Sequence, residues 1–352
     1  MTSRPATMPD SLDVFATCPQ SGQAPSPAYR SQVAMAASWA ENSGCKGILV
    51  YADNSLVDPW LVSQLISENT ATLCPLIAVQ PVYMHPYSVA KMITSLASLY
   101  GRRVYLNMIA GGFRNDLIAL ADSTPHDDRY ARLIEYTTII LELTGNCTPL
   151  SYRGLFYATE NLKLTPPLPR TLRPGLMVSG SSGAGAEAAR LLGATCIHYL
   201  KPAQEYHSAP LEQGMSFGMR VGIIARSSKR EAWDVAHTRF PEDRKGRLLH
   251  QYAMKVSDSE WHKQLSRFGD AGDGSPSPYW LGPFENYRTF CPYLVGDYDV
   301  VGAEISKYIG LGYRTFVLDI PADPEDLMHS AIAFERAVQC CTVLPGLLSA
   351  PV

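Results

Sequence analysis

Long apolar runs are absent from this sequence, and so is the basic clustering of many nucleic-acid-binding proteins. No stretch approaches the roughly 20 apolar residues of a membrane-spanning helix, so we expect no membrane partner. The opening segment, MTSRPATMPDSLD, holds no apolar signal core, and we therefore expect a cytoplasmic location. The 30 basic and 33 acidic residues give a net charge of −3, which argues against nucleic acid as the main partner.

Paired cysteine motifs and metal-ligand spacings are also missing. The eight cysteines lie at positions 18, 45, 74, 147, 196, 291, 340 and 341, and none forms a CxxC motif. Most of them are interpreted as small buried apolar residues of a protein in a reducing compartment. His250 and His262 are too far apart in sequence to indicate a metal site. We therefore expect no metal cofactor.

Short β-rich apolar runs alternate along the chain with longer segments of helical spacing. Hydrophobic residues make up 46% of the chain and charged residues 18%, which suits a large core. The predicted strands are Leu12–Thr17, Gly47–Tyr51, Cys74–Gln80, Arg103–Ile109, Leu176–Gly180, Cys196–Leu200, Phe217–Ala225 and Thr315–Asp319. The predicted helices are Tyr29–Glu41, Asp58–Ile66, Tyr87–Leu99, Asp127–Leu143, Ala184–Leu192, Lys229–Arg239 and Val300–Ile309. Several strand runs are apolar at nearly every position, which is typical of strands covered on both faces.

This repeat predicts the fold class. A strand-helix-strand order implies parallel pairing through right-handed crossovers. Eight repeats favour an α/β fold of the (β/α)8 TIM-barrel type over a doubly wound open sheet. Residues 1–10 are predicted to be a flexible tail and residues 11–352 a single domain. The Pro-rich residues 144–174 are predicted to form a loop or short hairpin, and the polar residues 240–297 an insertion that acts as a lid or a dimer arm.

One segment has the pattern of an anion-binding turn. In the run MVSGSSGAGAEAARLL, which starts at Met177, a predicted strand ends, a Gly-Ser turn follows and a helix begins near Ala184. Turn amides, the helix N-terminus and the hydroxyls of Ser181 and Ser182 together suit a phosphate group. A plain capped turn is the alternative. A dinucleotide fingerprint is disfavoured, because the glycines follow GxxGxG rather than GxGxxG.

Two further runs contain candidate site residues. Asn107, in LNMIAGGF, could direct its amide into the mouth of a barrel, although a glycine pair after a strand is most often only a turn. His126 and Tyr130, in HDDRY, lie four residues apart and so share one face of the predicted helix. The alternative for HDDRY is an ordinary surface helix start, whose two aspartates suit the first turn.

In their order and spacing, these runs resemble the bacterial luciferase-like flavin monooxygenase family, in its alkanesulfonate monooxygenase branch. The resemblance also includes ILVYADNSLVDPW, RVGIIARSSKREAWDVA and LVGDYDVVGAEISKYIGLGYRTFVLDIP. It covers roughly residues 12–335 and is poor over residues 240–285. It implies a (β/α)8 barrel with insertions, a homodimer or homotetramer, and an enzyme that uses O2 and reduced FMN from a separate NAD(P)H:flavin reductase.

The resemblance also implies roles for individual residues. The residues that match cofactor-binding positions are Ala78, Asn107, His126, Tyr130, Gly180, Ser181 and Ser182. The first two match strand positions beside the flavin, the next two match residues near the phosphate and ribityl chain, and the last three match the phosphate-binding turn. Arg220 and Arg288 match arginines that meet a substrate anion and are the catalytic candidates. Alternatively, Arg220 pairs with an acidic residue of the core.

Three positions depart from the sulfonate-cleaving enzymes. Gly222 stands where a catalytic histidine is expected, Leu56 where a cysteine lies and Ile320 where a tyrosine lies. These losses put sulfonate cleavage in doubt. The predicted function is an FMNH2-dependent, two-component monooxygenase for a small anionic or amino-acid-like substrate, which a carrier could tether. The alternatives are a dehydrogenase that uses the deazaflavin F420 and a non-catalytic flavin-binding accessory protein.

Overall fold

The computed structural model describes residues 6–22, 26–111, 114–180, 182–206, 211–248, 250, 265 and 277–343. The strands are β1 (Asp13–Thr17), β2 (Gly47–Val50), β3 (Cys74–Val79), β4 (Tyr105–Met108), β5 (Leu150–Arg153), β6 (Ala158–Leu162), β7 (Gly175–Ser179), β8 (Thr195–Tyr199), β9 (Phe217–Arg226), β10 (Tyr279–Trp280), β11 (Tyr293–Asp297) and β12 (Tyr313–Leu318). The helices are α1 (Tyr29–Asn42), α2 (Pro59–Asn69), α3 (Pro86–Tyr100), α4 (Arg114–Ala119), α5 (His126–Gly145), α6 (Gly183–Leu192), α7 (Lys229–Arg239), α8 (Gly282–Glu285), α9 (Tyr298–Leu311) and α10 (Pro324–Val343).

The order of the elements is that of a (β/α)8 barrel. All eight predicted strands are present, as β1, β2, β3, β4, β7, β8, β9 and β12, and they pair in parallel. Helices lie between successive strands along the chain. The fold class predicted from the sequence is therefore confirmed. By its internal contacts the chain divides into unit 1, with Met1–Thr17, Ser38–Lys46 and His198–Val352, and unit 2, with Cys18–Ala37 and Gly47–Ile197.

Unit 2 contains the parallel neighbours β2, β3, β4 and β7, whose residues are mostly buried. The register places Ala78 of β3 beside Asn107 of β4, and Asn107 beside Met177 of β7. Two of its helices begin where the sequence supplies a cap. The Asp58 carboxylate accepts hydrogen bonds from the first amides of α2, and Ser182 caps α6 in the same way.

Unit 1 is organised around β9, a strand of ten buried residues. Its strands follow the order β10-β11-β9-β12-β1. The short strand β11 runs parallel to the second half of β9, with Tyr293 opposite Gly222, and β10 runs antiparallel to β11. The helices α9 and α10 pack on each other, and α10 also packs on β9.

The Pro-rich connection between α5 and β7 contains the antiparallel hairpin β5–β6. The sequence predicted either a loop or a short hairpin for this segment, and the structure contains the hairpin. Apolar residues of the hairpin pack against Ala90, Ile139 and Leu143. At its turn, the Glu135 carboxylate of α5 accepts hydrogen bonds from the successive amides of residues 155–157. These contacts fix the hairpin to unit 2.

The predicted insertion and tail are described only in part. Within 240–297, residues 249, 251–264 and 266–276 lie outside the described residues, and the remainder includes β10, α8 and β11. Near the start of the chain, Met8 is buried and its amide donates to the Ser43 carbonyl at 2.8 Å. The described part of the predicted tail is thus packed at Met8. Within the described residues, no helix is both long and apolar enough to span a membrane.

Candidate active site

The predicted phosphate-binding turn joins β7 to α6 in unit 2. Strand β7 ends at Ser179, and Ser182 is the N-cap of α6, where its hydroxyl oxygen accepts a hydrogen bond from the Gly185 amide at 3.2 Å. The hydroxyl proton of Ser182 is left to donate to a ligand. Ser181 lies outside the described residues. The helix N-terminus and Ser182 therefore offer the kind of donors that the sequence predicts for an anion.

Tyr130 lies against this turn. A Cβ atom built at Gly180 would come within 2.4 Å of the Tyr130 hydroxyl oxygen and 3.5 Å of the Gly185 Cα. The Tyr130 hydroxyl can approach the turn this closely only because residue 180 has no side chain. The structure thus brings Tyr130, Gly180 and Ser182 together, as the sequence predicts.

His126 begins α5, one residue earlier than predicted, and lies one turn before Tyr130. The two rings meet edge to face with 5.3 Å between their centroids, which confirms that they share one face of the helix. The His126 Nδ1 atom lies 2.8 Å from the exposed Asp127 carboxylate. The preceding residue, Pro125, makes no side-chain capping hydrogen bond. The backbone amides in the first turn of α5 therefore receive no hydrogen-bond acceptor from the side chain of the N-cap residue.

Arg129, which the sequence analysis did not single out, lies between His126 and Tyr130 and is only 7% exposed. Within the described residues its Nε atom makes no hydrogen bond, its Nη1 atom donates to the Thr124 carbonyl at 3.4 Å, and no carboxylate forms an ion pair with it. A buried guanidinium of this kind is costly unless an anion meets it. Its position inside HDDRY is the sequence signal that could have identified it.

Asn107 and Ala78 lie side by side on β4 and β3. The Asn107 side chain is buried, and its Oδ1 atom accepts a hydrogen bond from the Ser179 hydroxyl at 2.8 Å. This bond orients the amide and leaves Nδ2 as the donor for a ligand. Because Ser179 precedes Gly180, the contact also connects Asn107 to the turn. Ala78 contributes only its backbone and its small size.

Asp122 fixes the loop that leads into α5. Its carboxylate lies 2.6 Å from Arg132 of α5 and also accepts from the hydroxyl of Thr124, the residue whose carbonyl meets Arg129. Burial raises the pKa of Asp122, but the hydrogen bonds from Arg132 and Thr124 outweigh burial and lower it to about 2. The charged form of Asp122 therefore stabilises the fold at neutral pH.

We expect Asp122→Asn to lower the free energy of unfolding by about 1 kcal/mol at pH 7, since solvent screening reduces the value of the full shift. The folded pKa lies below the unfolded value of about 3.9, so this stability is present above that value and is lost as the pH falls towards 2. Urea titrations at pH 7, 4 and 2.5 measure the difference between the two proteins. A difference that stays constant over this range would contradict the assignment.

In unit 1, Arg220 of β9 is buried beside an acidic partner. Its guanidinium lies 3.5 Å from the Asp319 carboxylate and 3.5 Å from the Thr17 hydroxyl. The two charged side chains are only 5% and 9% exposed. This is the core ion pair that the sequence analysis held open as the alternative. The geometry therefore gives no support to a direct contact of Arg220 with a substrate anion.

The missing side chain at Gly222 is replaced from the neighbouring strand. A Cβ atom at position 222 would lie 2.3 Å from ring atoms of Tyr293 in β11, and the Tyr293 hydroxyl donates to Asp319 at 2.8 Å. Burial raises the pKa of Tyr293 well above its ordinary value, so this hydroxyl stays protonated. Sequence reasoning detected the loss at 222 but missed Tyr293, because the two residues are adjacent only across the strand pair.

The other substrate-side residues make contacts within unit 1. The Arg288 side chain is 56% exposed and pairs with Asp243 at 2.7 Å. Ile320 lines a cavity of about 20 Å³ together with Asp319 and Tyr293, and its carbonyl accepts from Arg239. Such a volume holds about one water molecule. Within the described residues, no group of His, Cys, Asp and Glu side chains is arranged to hold a metal ion.

Comparison with known proteins identifies the family. The model of the luciferase-like monooxygenase family matches residues 12–315. A monooxygenase from Niallia circulans named BtrO, whose name gives its substrate as 4-(γ-L-glutamylamino)butanoyl-[BtrI acyl-carrier protein], is 34% identical over 292 residues, which cover 81% of this chain and 85% of BtrO.

Two solved structures show the fold. EDTA monooxygenase from Chelativorans sp. BNC1 superposes with a TM-score of 0.70 at 15% identity, over 96% of this chain and 94% of that one. An F420-dependent secondary alcohol dehydrogenase gives a TM-score of 0.63 at 14% identity, over 93% and 99%. Because enzymes named for different reactions share this fold, the fold does not select the cofactor. The family match and the identity to BtrO nevertheless establish that this chain is an enzyme and belongs to the luciferase-like monooxygenase family.

Proposed function

We propose that this chain is the oxygenase component of a two-component, FMNH2-dependent monooxygenase that oxidises an anionic, amino-acid-like acyl group tethered to a carrier protein. The observation that supports it most directly is the arrangement in unit 2 in which Tyr130 lies against Gly180 of the turn and the buried Arg129 precedes Tyr130 along α5. A separate NAD(P)H:flavin reductase would supply the reduced flavin. A cytoplasmic homodimer or homotetramer is part of this proposal.

The residues of unit 2 fit a flavin mononucleotide. The terminal phosphate would lie on the turn, where the missing side chain at Gly180 lets the Tyr130 hydroxyl approach and where the α6 N-terminus and Ser182 can donate. Arg129 would supply a positive charge, and His126 and Tyr130 would lie near the phosphate and ribityl chain. Asn107, held by Ser179, would donate to the ring beside the small Ala78. Ser181 remains part of the proposed turn by its place in the sequence.

A phosphate monoester suits this site better than a phosphodiester does. At neutral pH a monoester carries up to two negative charges, and Arg129 together with the N-termini of α5 and α6 would offset them. When bound, reduced FMN supplies the two electrons with which one atom of O2 becomes water while the other enters the substrate. The protein residues bind and orient the flavin, and the buried strand ends keep water from it.

The proposed substrate class is taken from BtrO, whose name states its substrate. BtrO acts on an acyl chain that ends in an amino acid and is carried by a protein, and it matches this chain over most of both lengths. The departures at Gly222, Leu56 and Ile320 agree with a substrate other than a sulfonate. Arg220 and Arg288 stay candidates for the substrate anion only by resemblance. Arg288 is the more accessible of the two.

Flavin binding tests the cofactor part of the proposal. We expect Gly180→Ala to weaken binding of reduced FMN by at least about tenfold, because its Cβ atom would overlap the Tyr130 hydroxyl and displace it from the turn. Gly145→Ala is the matched control: it lies at the far end of α5, and a Cβ atom there meets only Arg173 at 3.6 Å. Fluorescence titration under anaerobic conditions gives both affinities. Equal affinities for the two variants would contradict the proposed phosphate position.

Turnover tests the reaction. The protein is incubated with a flavin reductase, NAD(P)H, FMN, O2 and the 4-(γ-L-glutamylamino)butanoyl thioester of an acyl carrier protein. We expect the acyl group to gain one oxygen atom by mass spectrometry, and no gain without O2. Tighter binding of F420 than of reduced FMN, with hydride transfer to or from an alcohol, would favour the dehydrogenase alternative and overturn the proposal.

A further inference from the structure

In unit 1, the ring of Tyr293 occupies the position that a side chain at Gly222 would take. Tyr293 lies opposite Gly222 in the β11–β9 pair, and the Gly222 amide donates to the Pro292 carbonyl at 2.8 Å. A Cβ atom at position 222 would come within 2.3–2.4 Å of three ring carbons of Tyr293. Strand pairing fixes both backbones and Tyr293 is 1% exposed, so the ring could yield only towards the small cavity that it lines. The packing of Tyr293 in this position therefore requires a glycine at residue 222.

The hydroxyl of Tyr293 reaches a charged pair. It donates to Asp319 Oδ2 at 2.8 Å, while Asp319 Oδ1 lies 3.5 Å from Arg220. Asp319 follows the end of β12, and its backbone amide donates to the Val221 carbonyl at 3.1 Å. The carboxylate thus lies between a phenol on one oxygen and a guanidinium on the other. The hydrogen bond from Tyr293 restricts the rotation of the Asp319 carboxylate and so the position of its second oxygen.

We propose that Tyr293 is a positioning residue: it takes the volume that a side chain at Gly222 would need, and it holds Asp319 in the orientation that pairs with Arg220. The side chain absent at 222 is in this way replaced by a phenol from β11. The proposal concerns only residues of unit 1 and does not depend on the identity of the cofactor. Any effect on a substrate anion would additionally rest on the proposed function.

A double-mutant cycle tests the shared volume. Gly222→Ala should lower the melting temperature by several degrees, because its methyl group overlaps the ring. Tyr293→Val should also lower it, because it leaves a cavity. In the double variant the new methyl group enters the vacated space, so we expect a loss smaller than the sum of the two single losses. If the losses in melting temperature were additive, the proposal that Tyr293 occupies the side-chain position of residue 222 would be overturned. If Gly222→Ala alone does not fold, a folded double variant supports the proposal and an unfolded one contradicts it.

A second pair of variants separates positioning from general stability. Tyr293→Phe removes the hydroxyl that meets Asp319. Tyr313→Phe is the control, because Tyr313 is also a buried tyrosine of unit 1 and its hydroxyl lies 2.8 Å from His198 Nδ1. Both variants are expected to be destabilised, since each loses buried hydrogen bonding.

The reporter is the Nε–H signal of Arg220 in protein labelled with ¹⁵N-arginine, identified by its loss in Arg220→Lys. We expect this signal to shift or broaden in Tyr293→Phe and to stay unchanged in Tyr313→Phe. An unchanged signal in Tyr293→Phe, or the same change in both variants, would overturn the positioning role. Because the measurement uses the protein without flavin or substrate, a failure of the proposed function would leave this result intact.

Discussion

Arg129→Met is expected to make the flavin-free protein more stable and at the same time to weaken its binding of FMN. The Arg129 side chain is buried, and within the described residues its Nε atom has no hydrogen bond and no carboxylate pairs with it. It also lies in the first turn of α5, where the helix dipole is positive. Removal of this charge should raise the free energy of unfolding by about 1–3 kcal/mol.

The same charge would be favourable once an anion is bound. A charged hydrogen bond to a phosphate contributes about 1.5–3 kcal/mol, so we expect the dissociation constant of FMN to rise about 10- to 100-fold in Arg129→Met. Urea denaturation without flavin measures the first effect, and anaerobic fluorescence titration with reduced FMN measures the second. Opposite signs for stability and affinity are typical of a residue that serves a ligand rather than the fold.

Arg132→Met is the control on the same helix. Arg132 lies one turn further along α5, and its guanidinium pairs with Asp122 at 2.6 Å. Its removal should therefore reduce stability, in contrast to Arg129→Met. If Arg129→Met were less stable than the wild type and bound FMN equally well, Arg129 would be a structural residue and the proposed phosphate site would lose its cation.

Much of the fold and part of the site could be predicted because they depend on local patterns. The apolar strand runs and helical spacings gave all eight parallel strands. The Gly-Ser turn and the helix that follows it were predicted together, and the structure adds that Ser182 is the N-cap of this helix. The i, i+4 spacing of His126 and Tyr130 placed them on one face. Each of these features is determined by residues that are close together in the sequence.

The remainder depends on contacts that a sequence does not display. Two exposed aspartates made HDDRY indistinguishable from a surface helix start, and the burial of Arg129 follows from packing rather than from its neighbours. The loss of a side chain at Gly222 was visible, but its replacement by Tyr293 arises from the pairing of β11 with β9. Strand β11 itself, the run YLVGD, is short and lies inside the polar insertion. The role of Arg220 was ambiguous until Asp319 was seen beside it.

The second large effect concerns stability. Asp326→Asn is expected to lower the free energy of unfolding by about 3–5 kcal/mol. Asp326 lies in the first turn of α10, where one carboxylate oxygen lies 2.9 Å from Arg226 and the other 2.6 Å from Arg239. The latter oxygen also accepts from the Ala322 amide at 3.0 Å. These contacts join β9, α7 and α10, and the Asp326 side chain is only 6% exposed.

Asparagine keeps the shape of this residue but removes its charge, which leaves the buried Arg226 and the partly buried Arg239 without their carboxylate. Removing one partner of a buried ion pair is costly, because the charge of the other partner stays desolvated and uncompensated. Asp299→Asn is the matched control, since Asp299 begins the neighbouring helix α9 and pairs with Arg336 at 3.4 Å while its own side chain is 85% exposed. Its loss should cost less than about 0.5 kcal/mol. Urea denaturation of both variants at pH 7 measures the contrast, and equal losses would mean that Asp326 does not hold β9, α7 and α10 together through its charge.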